Sequence, residues 1–146
     1  MKADHRLRVV IDTNVWISAM LSARGTPARL VRQVLANGAA VFTQATFEEL
    51  ESRIWKPKFD PYLSIEARRL LLHDVNAAAQ WVDVPPDIAA GAWSRDVDDD
   101  AFVRAALAAN APWLVTGDND LLSVPPMDGL RILTPAAALA LPDFQS

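Results

Sequence analysis

The chain has no cysteine, which excludes disulfides, zinc–thiolate sites and thiol nucleophiles. Lysine occurs only at positions 2, 56 and 58, and three of the four glutamates fall at 48, 49 and 51. No apolar run is long enough to span a bilayer, and the opening MKADHRLR lacks the apolar core of a secretory signal. The expectation is a cytoplasmic protein with no membrane attachment. A basic excess is missing too. The net charge of −4 argues weakly against a nonspecific nucleic-acid binder, but acid concentrated locally can hide a basic patch elsewhere. The 146 residues, 51% of them hydrophobic, fit a single globular domain over 1–146 with a sizeable core.

What the chain does have is four islands of carboxylate at the edges of apolar runs. They are Asp12 in VVIDTN, the trio Glu48, Glu49 and Glu51 in TFEELE, the run Asp96, Asp98, Asp99 and Asp100, and the pair Asp118 and Asp120 in LVTGDND. Converging carboxylates repel one another unless a cation joins them, and a hard divalent metal is the usual partner.

Apolar periodicity places the islands. Residues 7–11 (LRVVI), 39–42, 81–84, 113–116 and 130–133 read as five short strands. Helices alternate with them. One runs through Trp16, Ile17 and Met20. A second starts at Thr26-Pro27, carries Leu30, Val31, Val34 and Leu35, and closes at Asn37-Gly38. A third has Phe47, Leu50 and Ile54 on one face, and a fourth covers 64–79. Asp98 is placed to cap a further helix reaching Ala109, and Pro135 starts the last. Alternating strands and helices predict a three-layer α/β/α sandwich on a five-stranded parallel sheet with right-handed crossovers. In such sheets ligands bind beyond the carboxyl ends of the strands, where strand order reverses. If the first and fourth strands are neighbours there, Asp12 and Asp118 face one cleft, and Glu49 and Asp100 can point into it.

Each island also has a plain structural reading. Asp12 suits a turn or helix cap. Glu49 follows Thr46 at capping-box spacing. Acids at 98–100 suit the first turn of a helix, and Asp118 can cap the segment after it. Three adjacent acids exceed what one cap needs, and Asp-Thr-Asn is a polar end for a buried strand.

The segments IDTNVWISAML, TFEELESRIWKPKF, RDVDDDAFVRAALAANAPWLVTGDNDLL and RILTP resemble the PIN-domain ribonucleases. Within that family they are similar to the toxins of bacterial toxin–antitoxin systems. The resemblance covers nearly the whole chain in order. It implies cleavage of single-stranded RNA dependent on Mg²⁺ or Mn²⁺, a small cognate antitoxin protein as partner, and possible homodimers. Position by position it implies Asp12, Glu49, Asp100 and Asp118 as the four acids, with Asp99 one position from the third register. Asp12, Asp100, Asp118 and Asp120 would serve the metal, while Thr13, Asn14 and Thr116 would line the site.

Neither His5 nor His73 is placed to act as a base, and a hard divalent ion can activate water without one. Arg24, Arg29, Arg32, Lys56 and Lys58 are candidates for RNA phosphates, against a solvated face as the simpler reading. Trp16 and Trp55 could stack on bases, although tryptophan in a small domain usually belongs to the core. A receiver-like signalling domain also carries an acidic pocket at this sheet edge. It needs a lysine after the last strand, which this chain lacks. A catalytically silent interaction domain would have no reason to tolerate the repulsion.

Overall fold

The computed structural model describes residues 7–144, so His5 and Lys2 lie outside the described residues. Strand β1 (Arg8–Ile11) leads into helices α1 (Thr13–Leu21) and α2 (Thr26–Asn37). Then come β2 (Ala39–Phe42), α3 (Gln44–Ile54), α4 (Ile65–Ala78), β3 (Gln80–Trp81) and the short α5 (Pro86–Ala89). A 3₁₀ turn over Val97–Asp99 opens α6 (Asp100–Ala109), which is followed by β4 (Trp113–Val115), α7 (Asn119–Leu122), β5 (Arg131–Leu133) and α8 (Pro135–Leu139).

The five strands form one sheet in the order β3-β2-β1-β4-β5, and every pairing is parallel. The first strand is therefore central. The chain builds outward to β2 and β3, then returns to add β4 and β5 on the other side. Strand order reverses at the β1–β4 seam, where Val9, Val10 and Ile11 pair with Trp113, Leu114 and Val115.

Alternation along the strands divides the core between the two faces of the sheet. Val9, Ile11, Phe42 and Val115 pack with Trp16, Leu30, Val34 and Ala138, so α1, α2 and α8 cover one face. Val10, Val41 and Leu114 pack with Phe102, Val103 and Ala106 of α6 on the other. Trp16 is fully buried against Phe42, with ring centroids 5.8 Å apart, and cannot stack on a base. Trp55 is partly exposed, with the Arg68 guanidinium over its ring.

Two expectations shift. The strand expected over 81–84 is only Gln80–Trp81, because it pairs on one side with β2 and that strand ends at Phe42. The capping box of α3 joins Thr43 and Thr46, each side chain bonding the other residue's backbone N–H. Thr46 is thus at the third helical position, and Glu49 has no part in the cap.

Gly38 joins α2 to β2. Its φ of −160° is extended backbone that any residue adopts, so space is the constraint. A Cβ there would collide with the Leu7 carbonyl oxygen and Cβ, and Ala39 N–H already binds that carbonyl at 2.8 Å. Gly117 has open space around it. Gly38→Ala should therefore destabilise the fold by roughly 2 kcal/mol or more, each kcal/mol being worth about 2–4 °C in Tm at this size. Gly117→Ala should be close to neutral. Thermal melts of the two variants check the contrast, and equal melting points would refute it.

Candidate active site

The site is built on the β1–β4 seam. Asp12 N–H donates to the Val115 carbonyl at 2.9 Å, continuing the strand ladder one residue beyond β1. Asp12 occupies the N-cap position of α1, yet its side chain makes no capping bond. Its Oδ2 instead accepts the Thr116 hydroxyl at 2.7 Å, and Thr116 Oγ1 accepts the Asp118 backbone N–H at 2.9 Å. One buried threonine thus ties the two strand-end acids together. Asp118 also caps α7 by accepting from Asp120 N–H at 3.2 Å, so its plain reading holds alongside any other.

Helix α3 resolves the glutamate cluster. Glu48 is exposed and accepts a hydrogen bond from Gln44, and Glu51 is exposed. Glu49 is half-buried and faces the cleft. The buried Thr13 hydroxyl lies toward it at a range that favours the charged carboxylate without closing a hydrogen bond. Arg53, one turn further along α3, lies 3.8 Å from Glu49 and donates to Asn14 Oδ1 at 3.1 Å.

The third island is placed differently from the expected register. Asp100 is fully buried, and its Oδ1 accepts the backbone N–H groups of Trp93 and Ser94 at 3.0 and 2.7 Å. That oxygen is committed to the preceding loop. Asp99 lies against Asp118 and also feels Asp96 and Asp12. Its Oδ2 is buried with no hydrogen-bond partner. The side-chain cap here comes from Asp96, which accepts Asp98 N–H, so Asp98 is not the cap. Carboxylate oxygens of Asp96, Asp99 and Asp120 lie within 4.8 Å of one another. Ligands about 2.1 Å from one hard cation could close around that space. Arg95 approaches Asp120 at 3.6 Å from the rim.

The electrostatics follow from burial and crowding. Burial raises the Asp12 carboxyl, Thr116 opposes this, and Asp118 raises it again. Burial also raises Glu49, with Arg53 opposing and Asp12 adding. Asp99 is pushed up to about 8, first by burial and then by the Asp118 carboxyl against it, with the charges of Asp96 and Asp12 adding. Asp12, Glu49 and Asp99 are thus raised by burial and by one another's neighbourhood beside Asp118, and clustered carboxylate oxygens of this kind suit a hard divalent ion.

With this geometry in place, comparison with known proteins is direct. Residues 8–120 match the family model described as a PIN domain. The chain belongs to the PIN-domain family. It is 30% identical over 120 residues to the uncharacterized protein MJ1680 of Methanocaldococcus jannaschii, a match spanning 82% of this chain and 76% of that one. The fold is also shared with solved structures of low identity. VapBC2 from Rickettsia felis, solved bound to a DNA fragment from its promoter, aligns with a TM-score of 0.59 at 15% identity, over 86% of this chain and 97% of that one. PAE2754 from Pyrobaculum aerophilum aligns at 0.57 and 14%, over 95% and 92%. VapBC-1 from nontypeable Haemophilus influenzae aligns at 0.51 and 18%, over 77% and 87%.

Two of the basic candidates sit apart from this PIN-domain acid set. Arg29 and Arg32 line a cavity of about 460 Å³ with Gln33, Ala36 and Leu139, and none of the acids contributes to it. Arg32 donates to the Ala23 carbonyl, Lys58 lies over the Phe59 ring, and Arg24 and Lys56 are exposed. His73 is exposed on α4. Reasoning from the sequence missed Arg53, whose signal is its i,i+4 spacing from Glu49. The sequence leaves Asp99 one position from the third register. Extending the buried stripe Phe102, Val103, Ala106 back along the helix leads to Asp99.

The shifted acids make stability depend on pH. A carboxyl ordinarily near 4 that sits at about 8 when folded keeps a proton that the unfolded chain releases, so stability falls as pH rises through that window. Without divalent metal, Tm should therefore be higher near pH 5 than near pH 8.5. Asp99→Asn removes the largest contribution and should melt above wild type at the higher pH, by at least about 2–4 °C if it recovers one kcal/mol. A variant that tracks wild type across the range would contradict this charge assignment.

Proposed function

We propose that this chain is a divalent-cation-dependent endoribonuclease acting on single-stranded RNA, and that it is the toxin of a cytoplasmic toxin–antitoxin pair. The observation that carries the reading is the convergence of Asp12, Glu49, Asp99 and Asp118 at the β1–β4 switch point, with a buried Asp99 oxygen lacking any partner. Neighbouring acids partly withdrawn from solvent are poor structural elements and good cation ligands. The similarity to two VapBC structures supports a small antitoxin protein as partner. Homodimers belong to the same proposal.

In this reading Asp12, Asp99 and Asp118 hold Mg²⁺ or Mn²⁺, with Asp120 and Asp96 beside them. Such an ion supplies Lewis-acid stabilisation of the phosphate and lowers the pKa of water. Glu49 stands across the cleft to orient the attacking water by accepting its proton. Thr116 fixes the Asp12 carboxylate by donating to Oδ2, and Thr13 and Asn14 line the same wall. Asp100 is a positioning residue here, pinning the 93–94 backbone and with it the approach to Asp96 and Asp99. Arg24, Arg29, Arg32, Lys56 and Lys58 remain candidates for more distant phosphates.

Cleavage of a mixed single-stranded RNA should require Mg²⁺ or Mn²⁺ and stop with EDTA. Asp12→Asn and Asp99→Asn should each lose at least about a hundredfold in kcat/KM. Asp100→Asn keeps an oxygen acceptor for Trp93 and Ser94 and should lose less than about tenfold. Cleavage without metal, or full activity in Asp12→Asn, would sink the mechanism. A larger loss at Asp100 than at Asp99 would return the third acid to Asp100.

A further inference from the structure

We infer that Arg53 is a phosphate-binding residue of this cleft, the contact that holds a non-bridging oxygen of the RNA backbone beside the acids. The inference rests on the nuclease reading and adds to it a substrate contact on the α3 side.

Arg53 stands in the last turn of α3, where a cation is favoured by the helix dipole. Its guanidinium reaches two walls of the cleft, donating from Nη1 to Asn14 Oδ1 at 3.1 Å and lying with Nη2 3.8 Å from Glu49 Oε2. Its charge eases the raised carboxyls of both Glu49 and Asp12. Arg95, by contrast, has Asp120 as its ion-pair partner among the described residues, at 3.6 Å, and the Arg95 side chain is 86% exposed.

The donor inventory shows why Arg53 suits a ligand better than a purely structural role. Guanidinium carries five N–H donors in a rigid fork. One is used on Asn14, and the Glu49 contact is too long to be a hydrogen bond, so most of the fork remains unspent. The side chain is 40% exposed, leaving room for a second partner. An exposed i,i+4 pair contributes little to stability, so the Glu49 contact alone gives weak reason for an arginine here. A cation held by Asp12, Asp99 and Asp118 would weaken the pull of Asp12 on Arg53, while the 3.8 Å Glu49 contact leaves the guanidinium fork largely unspent. A phosphate oxygen is an anion able to use that planar fork.

The test uses the full chain, a labelled single-stranded RNA and Mn²⁺. Binding is measured in an Asp118→Asn background to prevent cleavage, and kinetics in the wild-type background. Arg53→Ala should raise KM and Kd about tenfold, as expected for a lost charge-assisted contact. It should change kcat less than KM. It should also reduce the slope of log Kd against log salt by about 0.7, the value for one phosphate contact on a single strand. Arg53→Lys should retain that slope and recover only part of the affinity. A fall in kcat with KM and salt slope unchanged would show that Arg53 only positions Glu49, and would overturn the inference while leaving the nuclease intact. Unchanged behaviour in Arg53→Ala would overturn it as well. A wild-type protein that neither binds nor cleaves RNA would overturn the nuclease reading and this inference together.

Discussion

Repulsion among buried carboxylates is the constraint around which this molecule is organised. Asp12 sits at the end of a central strand, 4% exposed, with Asp118 beside it and Glu49 facing it. Left to themselves such groups separate or take up protons. They stay together because each hangs on a different rigid element. Asp12 is locked by its backbone bond to Val115, Asp118 by the Thr116 hydroxyl, and Glu49 by a helix whose Leu50 and Ile54 are fully buried. The sheet supplies the force that opposes the charge. A loop-borne cluster of the same composition would relax, whereas here relaxation would unpair β1 from β4.

The fold was legible because its signals are local and redundant. β-branched runs, the Thr26-Pro27 start of α2 and the Asn37-Gly38 close of the same helix each specify one boundary without tertiary information. The order of strands was less so. Periodicity places Asp12 and Asp118 at strand ends, but only the pairing of Val9–Ile11 with Trp113–Val115 makes those ends adjacent. The short β3 was overestimated because residues 82–84 still read as strand, while the strand that would pair with them has already ended.

Within the acid clusters, local sequence cannot separate neighbours that differ by 100° around a helix axis. Glu48, Glu49 and Glu51 have the same chemistry, and the choice is made by where Leu50 and Ile54 bury. Asp99 and Asp100 differ more subtly, since both are buried. Asp100 is satisfied by two backbone donors from the loop before it. Asp99 has a buried oxygen and no donor. A sequence pattern records how many acids are present; it does not record which of them the backbone has already satisfied. That distinction separates a structural carboxylate from one kept available for a ligand.

An acidic chain that takes a polyanion must offset its own charge where the two meet. With a net charge of −4 and many of its acids gathered at one seam, the cleft repels RNA more strongly than the surface around it. Of the basic candidates, Arg29 and Arg32 lie on α2 beside a cavity that none of the acids lines, Arg24 precedes α2, and Lys56 and Lys58 follow α3. A cation more than about 8 Å from the acids can raise encounter rates but does not offset charge at the point of reaction, because screening limits its reach at physiological ionic strength. Only cations inside the cleft can do so. Arg53 and Arg95 stand at its rims. On the nuclease reading, the acids must therefore be neutralised before a phosphate can enter, so the groups that organise the chemistry also control admission of the substrate.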